Sequence, residues 1–484
     1  MTKNIGSARP RDDVRLLLDG RGTYLDDVPV TGALHVAFLR SPHAHADIAK
    51  IATAAAAALP GVVRVVTASD LAALCHGWGS SQTFPGLVER RQTALATDQT
   101  VYQGQPVAAV VAETRALAED GVEAIEVDWR PLPAMATLER ALEPGAVPAH
   151  GDLASNLAYS GTIGATIAPA IWQQAAHVLE ESFIFHRVTG VPLEPRGVVA
   201  SYLPADGSLT VYQSHTAPHQ LRSLYAMHLG LDEGRVRVVT PQVGGSFGVK
   251  THLYPDEIAT CAMARLIGRP VKFIADRLES FSADIHAREQ RVRARVALGA
   301  DGRFLAWQVD CLLGMGAFST HPGSSVQEGD EAVRLAATPY RVDAFAGRID
   351  VAFQNKTIVG QYRGVGHPMA SAVTEYMVDR SAEALGLAPE ELRRRNYVPD
   401  DAYPTTSATG LPLDALSHGK CLDEILRLMD MPALRQEQAA LRAKGVYRGI
   451  GLSTFIERTA TNVPVNAHIR KATAQDGVTL HIEN

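Results

Sequence analysis

Three Asp-Gly pairs, Asp206-Gly207, Asp301-Gly302 and Asp476-Gly477, each stand between stretches of alternating apolar residues. The tight turn that joins two right-twisted strands needs residues tolerant of positive φ, so Asp-Gly in this setting predicts antiparallel hairpins. All three pairs lie in the later part of the chain, which must therefore build antiparallel sheet. Two helices interrupt that sheet: Pro255 to Ile267, opened by proline and closed by Gly268, and Pro368 to Leu385, closed by Gly386. Strands and helices that do not alternate strictly predict an α+β fold and exclude a doubly wound one.

The earlier region has a different texture. Between Gly20 and Ala134 it is mixed α/β, with alternation at Leu34, Val36 and Phe38, a β-branched run from Val62 to Val66 and an apolar stretch from Val107 to Val111. A short Ala-rich helix is expected at Ala54 to Leu59. Leu117, Val122 and Ile125 have helical spacing between Thr114 and Ile125, and Pro131 and Pro133 end the strand that follows. Turn formers then accumulate from Glu143 to Asp152 without any apolar period, the pattern of a surface linker. A chain of 484 residues is too long for one ordinary core. The expected organisation is an α/β domain over 17–140, a linker over 141–159 and a second, mixed sheet and helix domain over 160–484.

Charge and composition remove whole classes of function. The net charge of −6 and the absence of any Lys/Arg-rich run exclude an electrostatic footprint for nucleic acid. No stretch is apolar for long enough to cross a bilayer, and Met1 to Gly20 has no signal-peptide core, so a cytoplasmic, non-membrane protein is expected. The cysteines, Cys75, Cys261, Cys311 and Cys421, are far apart with no C-x-x-C pair, and cannot assemble an iron–sulfur cluster or a zinc knuckle. Redox chemistry in this chain would need electron carriers elsewhere.

The segment richest in chemistry runs from Val236 to Lys250, a β-branched strand leading into Gly244-Gly245-Ser246-Phe247-Gly248. Glycines allow close backbone approach and leave amide N–H groups to face an anion or an oxo group. A plain tight turn is the simpler interpretation. The segment lacks the phosphate-loop pattern, because Val249 precedes Lys250, and it lacks the dinucleotide fingerprint. It matches G-x-S-x-G through Gly244, Ser246 and Gly248, which would make Ser246 a hydrolase nucleophile with His367 as base. That elbow requires a helix immediately after the serine, whereas the next helix waits until Pro255. His215 and His219 have metal-pair spacing, but Pro218 breaks the helix that the pair needs, and His43 and His45 lack a carboxylate partner. Tyr362-Arg363-Gly364 places an arginine in a glycine turn just before a helix, where a guanidinium can hold a carbonyl oxygen or stabilise an oxyanion, or simply form a structural salt bridge.

Taken in order, Gly20 to Asp27, His35 to His45, Gln103 to Val110, Pro192-Leu193-Glu194-Pro195-Arg196, Val211 to Gln213, Gly244 to Gly248, Tyr362 to Gly364 and Arg393 to Asn396 resemble the large subunit of the molybdenum hydroxylases, the xanthine dehydrogenase and aldehyde oxidase family. The resemblance implies an N-terminal α/β hammerhead-like domain followed by a first molybdopterin-binding domain. It implies a molybdenum ion held by a pterin dithiolene and not by protein side chains, with the cytosine dinucleotide form of the pterin expected. The reaction it implies is hydroxylation of a carbon with oxygen from water, electrons leaving through [2Fe-2S] clusters and FAD on partner subunits. Gln213 looks like the glutamine that hydrogen-bonds a molybdenum oxo ligand. Gly244, Gly245, Ser246, Phe247 and Gly248 look like the loop facing the metal, and Arg363 like the arginine beside it.

The family's general-base glutamate and most of its pterin contacts lie in a second half that would begin where this sequence ends. A second molybdopterin-binding subunit is therefore expected, the alternative being a truncated remnant without activity. Phe247, Thr251 and Val365 are expected in the substrate pocket. Thr251 stands where purine oxidisers of the family have glutamate, Val365 where they have a stacking aromatic ring, and Gly364 where carbon monoxide oxidisers have a copper-binding cysteine. Aldehydes and N-heteroaromatic rings are the expected substrates.

Overall fold

The computed structural model describes residues 6–82 and 84–457. The chain divides into two compact units that interleave along the sequence. Residues 1–78, 92–132 and 190–284 make the first, and 79–91, 133–189 and 285–484 the second.

The first unit is built on a seven-stranded sheet. Its strands run in the order Val236–Val239, Ser208–Tyr212, Gly197–Leu203, Val271–Ile274, Leu34–Arg40, Pro106–Ala112 and Val62–Thr67. The Asp206-Gly207 hairpin joins two of these strands antiparallel, with Ser208 opposite Leu203. Leu34–Arg40 lies parallel to Val271–Ile274, Leu34 opposite Val271. Strands expected in separate sequential domains thus share one sheet, because pairing between strands far apart in sequence decides the units. The helix Pro255–Ile267 packs on this sheet, buried from Pro255 to Ala264, and ends at Gly268 with φ of 70°. Its Ile258 shares a core with Val198, Ala200, Val211, Leu221 and Phe273.

The second unit carries a five-stranded sheet in the order Leu157–Gly164, Val342–Phe353, Phe304–Gly316, Gln290–Leu298 and His177–Phe185. Asp301-Gly302 turns Gln290–Leu298 into Phe304–Gly316 as an antiparallel hairpin. The single parallel pair, Phe304–Gly316 with Val342–Phe353, is connected through the helix Ser324–Arg334, as a parallel pair requires. The helix His367–Leu385 packs against the same sheet and stops at Gly386, φ 65°. The motif Arg393 to Asn396 is structural: Arg393 is fully buried against Glu375 at 2.8 Å, and the Asn396 amide donates to the carbonyl of Gly302 at 2.9 Å.

Most of the stretch from Glu143 to Asp152 is exposed, as expected of a surface linker, but Ala141, Ala149 and Ala158 within 141–159 belong to the second unit's core. Buried Asn156 donates to the carbonyls of Ala141 and Val147 while accepting from the Ala149 amide, and buried Asn355 donates to the Ala149 carbonyl at 2.9 Å. Side-chain amides thus satisfy backbone groups that this irregular segment leaves without regular partners. The expected hairpin at Asp476-Gly477 lies outside the described residues.

Candidate active site

Gln213 follows directly on the strand Ser208–Tyr212, and its amide donates to the carbonyl of Val239 on the adjacent parallel strand at 3.0 Å. The glycine loop begins just beyond that strand, so both leave the sheet at the carboxyl ends of a parallel pair, where α/β sheets commonly bind ligands. The Gln213 side chain is buried, and its Oε1 accepts from the Tyr225 hydroxyl at 2.6 Å. Its amide therefore donates from the nitrogen end, which is hydrogen-bonded to Glu257. Burial pushes the Glu257 carboxyl up, against the pull of Arg196. Behind it Arg196 is fully buried and bonded to Asp256, Glu257 and Asp284.

The glycine loop is shaped by contacts no other residue would allow. A Cβ on Gly244 would lie 2.5 Å from the Glu194 Cβ, and Gly245 and Gly248 have φ of 104° and 100°. Phe247 itself has φ of 54° and is exposed. Glu194 is the anchor. Its Oε2 accepts from Lys250 Nζ at 2.6 Å, Ser214 Oγ at 2.6 Å and the Gly244 amide at 2.7 Å. Burial would raise its carboxyl, but these hydrogen bonds hold it below the usual value. The expectation of free amides therefore fails at Gly244, whose N–H is held by Glu194. The N–H groups of Gly245, Ser246, Phe247 and Gly248 have no acceptor among the described residues. Three of the loop's carbonyls are engaged within the chain: Gly244 accepts from Glu194, Ser246 from Val249 and Gly248 from Thr251. The Thr251 hydroxyl is paired with that of Thr216 at 2.8 Å, a neutral polar pair.

Arg363, Gly364 and Val365 belong to the second unit, whereas Gln213, residues 244–248 and Thr251 belong to the first. The turn leading into the helix His367–Leu385 has Gly364 at φ 87° and Val365 at φ 49°. Gly366 admits no side chain, because a Cβ there would meet the Ala332 nitrogen at 2.2 Å. The Arg363 side chain is exposed and has no hydrogen-bond or ion-pair partner among the described residues, so the structural salt bridge is absent. His367 uses Nδ1 on the Gly364 carbonyl at 2.7 Å. His215 is a buried core histidine, bonded to the Ala217 amide and lowered to about 4 by burial.

The residues 149–397 match a molybdopterin cofactor-binding domain, and 19–133 match the a/b hammerhead domain of aldehyde oxidase and xanthine dehydrogenase. The chain belongs to the molybdenum hydroxylase family. It is 33% identical to the nicotine 6-hydroxylase large subunit of Paenarthrobacter nicotinovorans over 94% of this chain and 56% of that protein. To the carbon monoxide dehydrogenase large chain of Hydrogenophaga pseudoflava it is 32% identical, covering 94% of this chain and 58% of the other. The solved quinoline 2-oxidoreductase of Pseudomonas putida 86 superposes with a TM-score of 0.93 at 36% identity, over 97% of this chain and 60% of that one. The chain thus spans somewhat over half the length of these relatives. Members of the family are molybdenum-dependent oxidoreductases, and the matches give no support to a serine hydrolase. The geometry agrees, since Phe247 leads into a short turn at Val249–Thr251 and not into the helix an elbow needs.

The loop fits a molybdenum–pterin group. It offers a run of N–H donors without acceptors, no side chain on its glycines, and a buried amide donor at the neighbouring strand end. Sequence reasoning missed Glu194, Tyr225 and Glu257. The first was visible only as a member of the Pro192 to Arg196 motif, and the others carried no local signal.

Proposed function

We propose that this chain forms one side of a molybdenum–pterin active site in a cytoplasmic, multi-subunit enzyme that hydroxylates a carbon of an N-heteroaromatic ring or an aldehyde. The observation that carries the proposal is the row of acceptor-free N–H groups from Gly245 to Gly248. When bound, the molybdenum–pterin group supplies the water-borne oxygen and takes up two electrons from the substrate. The chain's own residues bind and orient. The loop amides and the Gln213 nitrogen hold anionic oxygens of the group, and Arg363 stabilises charge that develops during the reaction. Phe247, Thr251 and Val365 shape the substrate pocket.

The N-heteroaromatic class is supported by two relatives named for nicotine and quinoline. It is also supported by the Thr216–Thr251 hydroxyl pair, which suits a neutral ring better than a carboxylate would. The proposed partners are a second molybdopterin-binding half with the general base, a [2Fe-2S] subunit and a FAD subunit, with the cytosine dinucleotide form of the pterin. Relatives named as large subunits and large chains support such an assembly.

The complex purified from its native host through a tag on this chain tests the proposal. Molybdenum and iron should co-purify, and turnover in ¹⁸O-labelled water should place the label in a hydroxylated N-heterocycle or in the acid formed from an aldehyde. A metal-free chain, or a product that carries no label from water, would sink it.

A further inference from the structure

Arg288 in the second unit spends its guanidinium mostly on backbone. Its guanidinium donates to the carbonyls of Val365 and Arg363, and to that of Tyr362 at 3.3 Å. It also lies 5.0 Å from the Tyr362 ring centroid and 3.4 Å from the Met369 sulfur. Behind it stands Glu328, buried on the helix Ser324–Arg334, which faces the guanidinium at 3.5 Å and accepts from the Arg288 amide at 3.4 Å. Arg288 itself has φ of 73°, an unfavourable backbone state for a residue with a side chain.

The loop it grips needs gripping. Val365 is β-branched and left-handed, and Gly364 and Gly366 are too tightly packed to carry side chains without displacing neighbours. Nothing among the described residues holds the Arg363 guanidinium itself. The turn therefore sets only the point from which this side chain projects.

From this geometry we infer that Arg288, backed by Glu328, is a positioning residue that fixes the 362–365 turn and so aims Arg363 at the reacting group. This rests on the reading of Arg363 given above. A guanidinium fork reaching three carbonyls is geometry that lysine, a single point of charge, does not reproduce. A displacement of about 1 Å in a charge-stabilising group lowers turnover on the order of a hundredfold.

The test uses the purified complex with Arg288→Lys, Arg288→Met, Arg363→Met and the double variant Arg288→Met/Arg363→Met. Hydrogen exchange at the Val365 and His367 amides, which bond to Tyr362 and Gly364 across the turn, should rise at least tenfold in Arg288→Lys. This readout is independent of turnover, and the lysine variant keeps it available if the methionine variant does not fold. With molybdenum content equal to that of the unaltered complex, Arg288→Met should lower kcat more than it changes KM. The double variant should be no slower than Arg363→Met alone, because both substitutions remove one interaction. Unchanged exchange in Arg288→Lys, or losses that multiply in the double variant, would overturn the inference. If Arg363→Met leaves turnover unchanged, the reading of Arg363 fails, while the exchange result still decides whether Arg288 holds the turn.

Discussion

The glycine loop of the first unit and the arginine turn of the second solve the same electrostatic problem with opposite tools. In the glycine loop a carboxylate, Glu194, captures Lys250, Ser214 and one amide, and the carbonyls of Gly244, Ser246 and Gly248 accept from within the chain. In the arginine turn a guanidinium, Arg288, captures the carbonyls of Tyr362, Arg363 and Val365, while His367 takes that of Gly364. Both arrangements engage carbonyl acceptors and leave donors: four N–H groups in one, a guanidinium in the other. A surface rich in backbone donors needs no excess of basic residues, which is why the net charge of −6 gave no hint of it.

The comparison can be broken at its anchors. The largest effect is expected from Glu194→Ala, which leaves Lys250 buried and unpaired and should destabilise the first unit by about 3–5 kcal/mol. Glu194→Gln, which keeps an acceptor but no charge, should cost less, and equal melting temperatures for the two variants would show that the carboxylate's charge carries the whole contribution. Next comes Arg363→Met, expected to lower kcat about 10²–10³-fold at unchanged molybdenum content, the range for removing one donor that stabilises developing charge. A loss confined to KM would make Arg363 a binding group only.

A third test concerns pH. Burial raises Glu328 to about 7 despite the pull of Arg288, whereas in the unfolded chain it ionises near the ordinary value of 4.5. A carboxyl raised in the folded state contributes most below its unfolded pKa, and that contribution is lost as pH rises toward 7. Glu328→Gln cannot ionise. Its unfolding free energy relative to the unaltered protein should therefore climb between pH 4.5 and 7, by an amount on the order of 3 kcal/mol at most. A pH-independent difference would mean that folding does not raise the Glu328 carboxyl. The smallest effect is assigned to Gly244→Ala, where a Cβ would press on Glu194 at 2.5 Å and cost about 1–3 kcal/mol of stability. Normal stability in that variant would show that the loop yields at no cost.

What was legible in the sequence follows from distance along the chain. The Asp206-Gly207 and Asp301-Gly302 hairpins and the helix stops at Gly268 and Gly386 are set by residues within a few positions of one another, and they stand where the turn and cap chemistry put them. Gln213, Gly244 to Gly248 and Arg363 could be picked out because they sit in short, ordered motifs. Their anchors could not: Glu194 holds Gly244 from 50 residues away, and Arg288 holds Val365 from 77. The core contacts of Ala141, Ala149 and Ala158 escaped for a related reason, since Asn156 is unremarkable among turn formers and Asn355 reaches Ala149 from 206 residues away.

The parallel pairing of Leu34 with Val271 sets a timetable for biosynthesis. A ribosome adding roughly 5–20 residues per second needs on the order of tens of seconds to travel from one of these strands to the other. Throughout that interval the nascent Leu34–Arg40 strand lacks one neighbour and exposes an unsatisfied edge, the kind of surface that recruits chaperones or misassembles. Expression of residues 1–140 alone would make that waiting state permanent, so a fragment cut where turn formers suggest a domain boundary should aggregate while the longer chain folds.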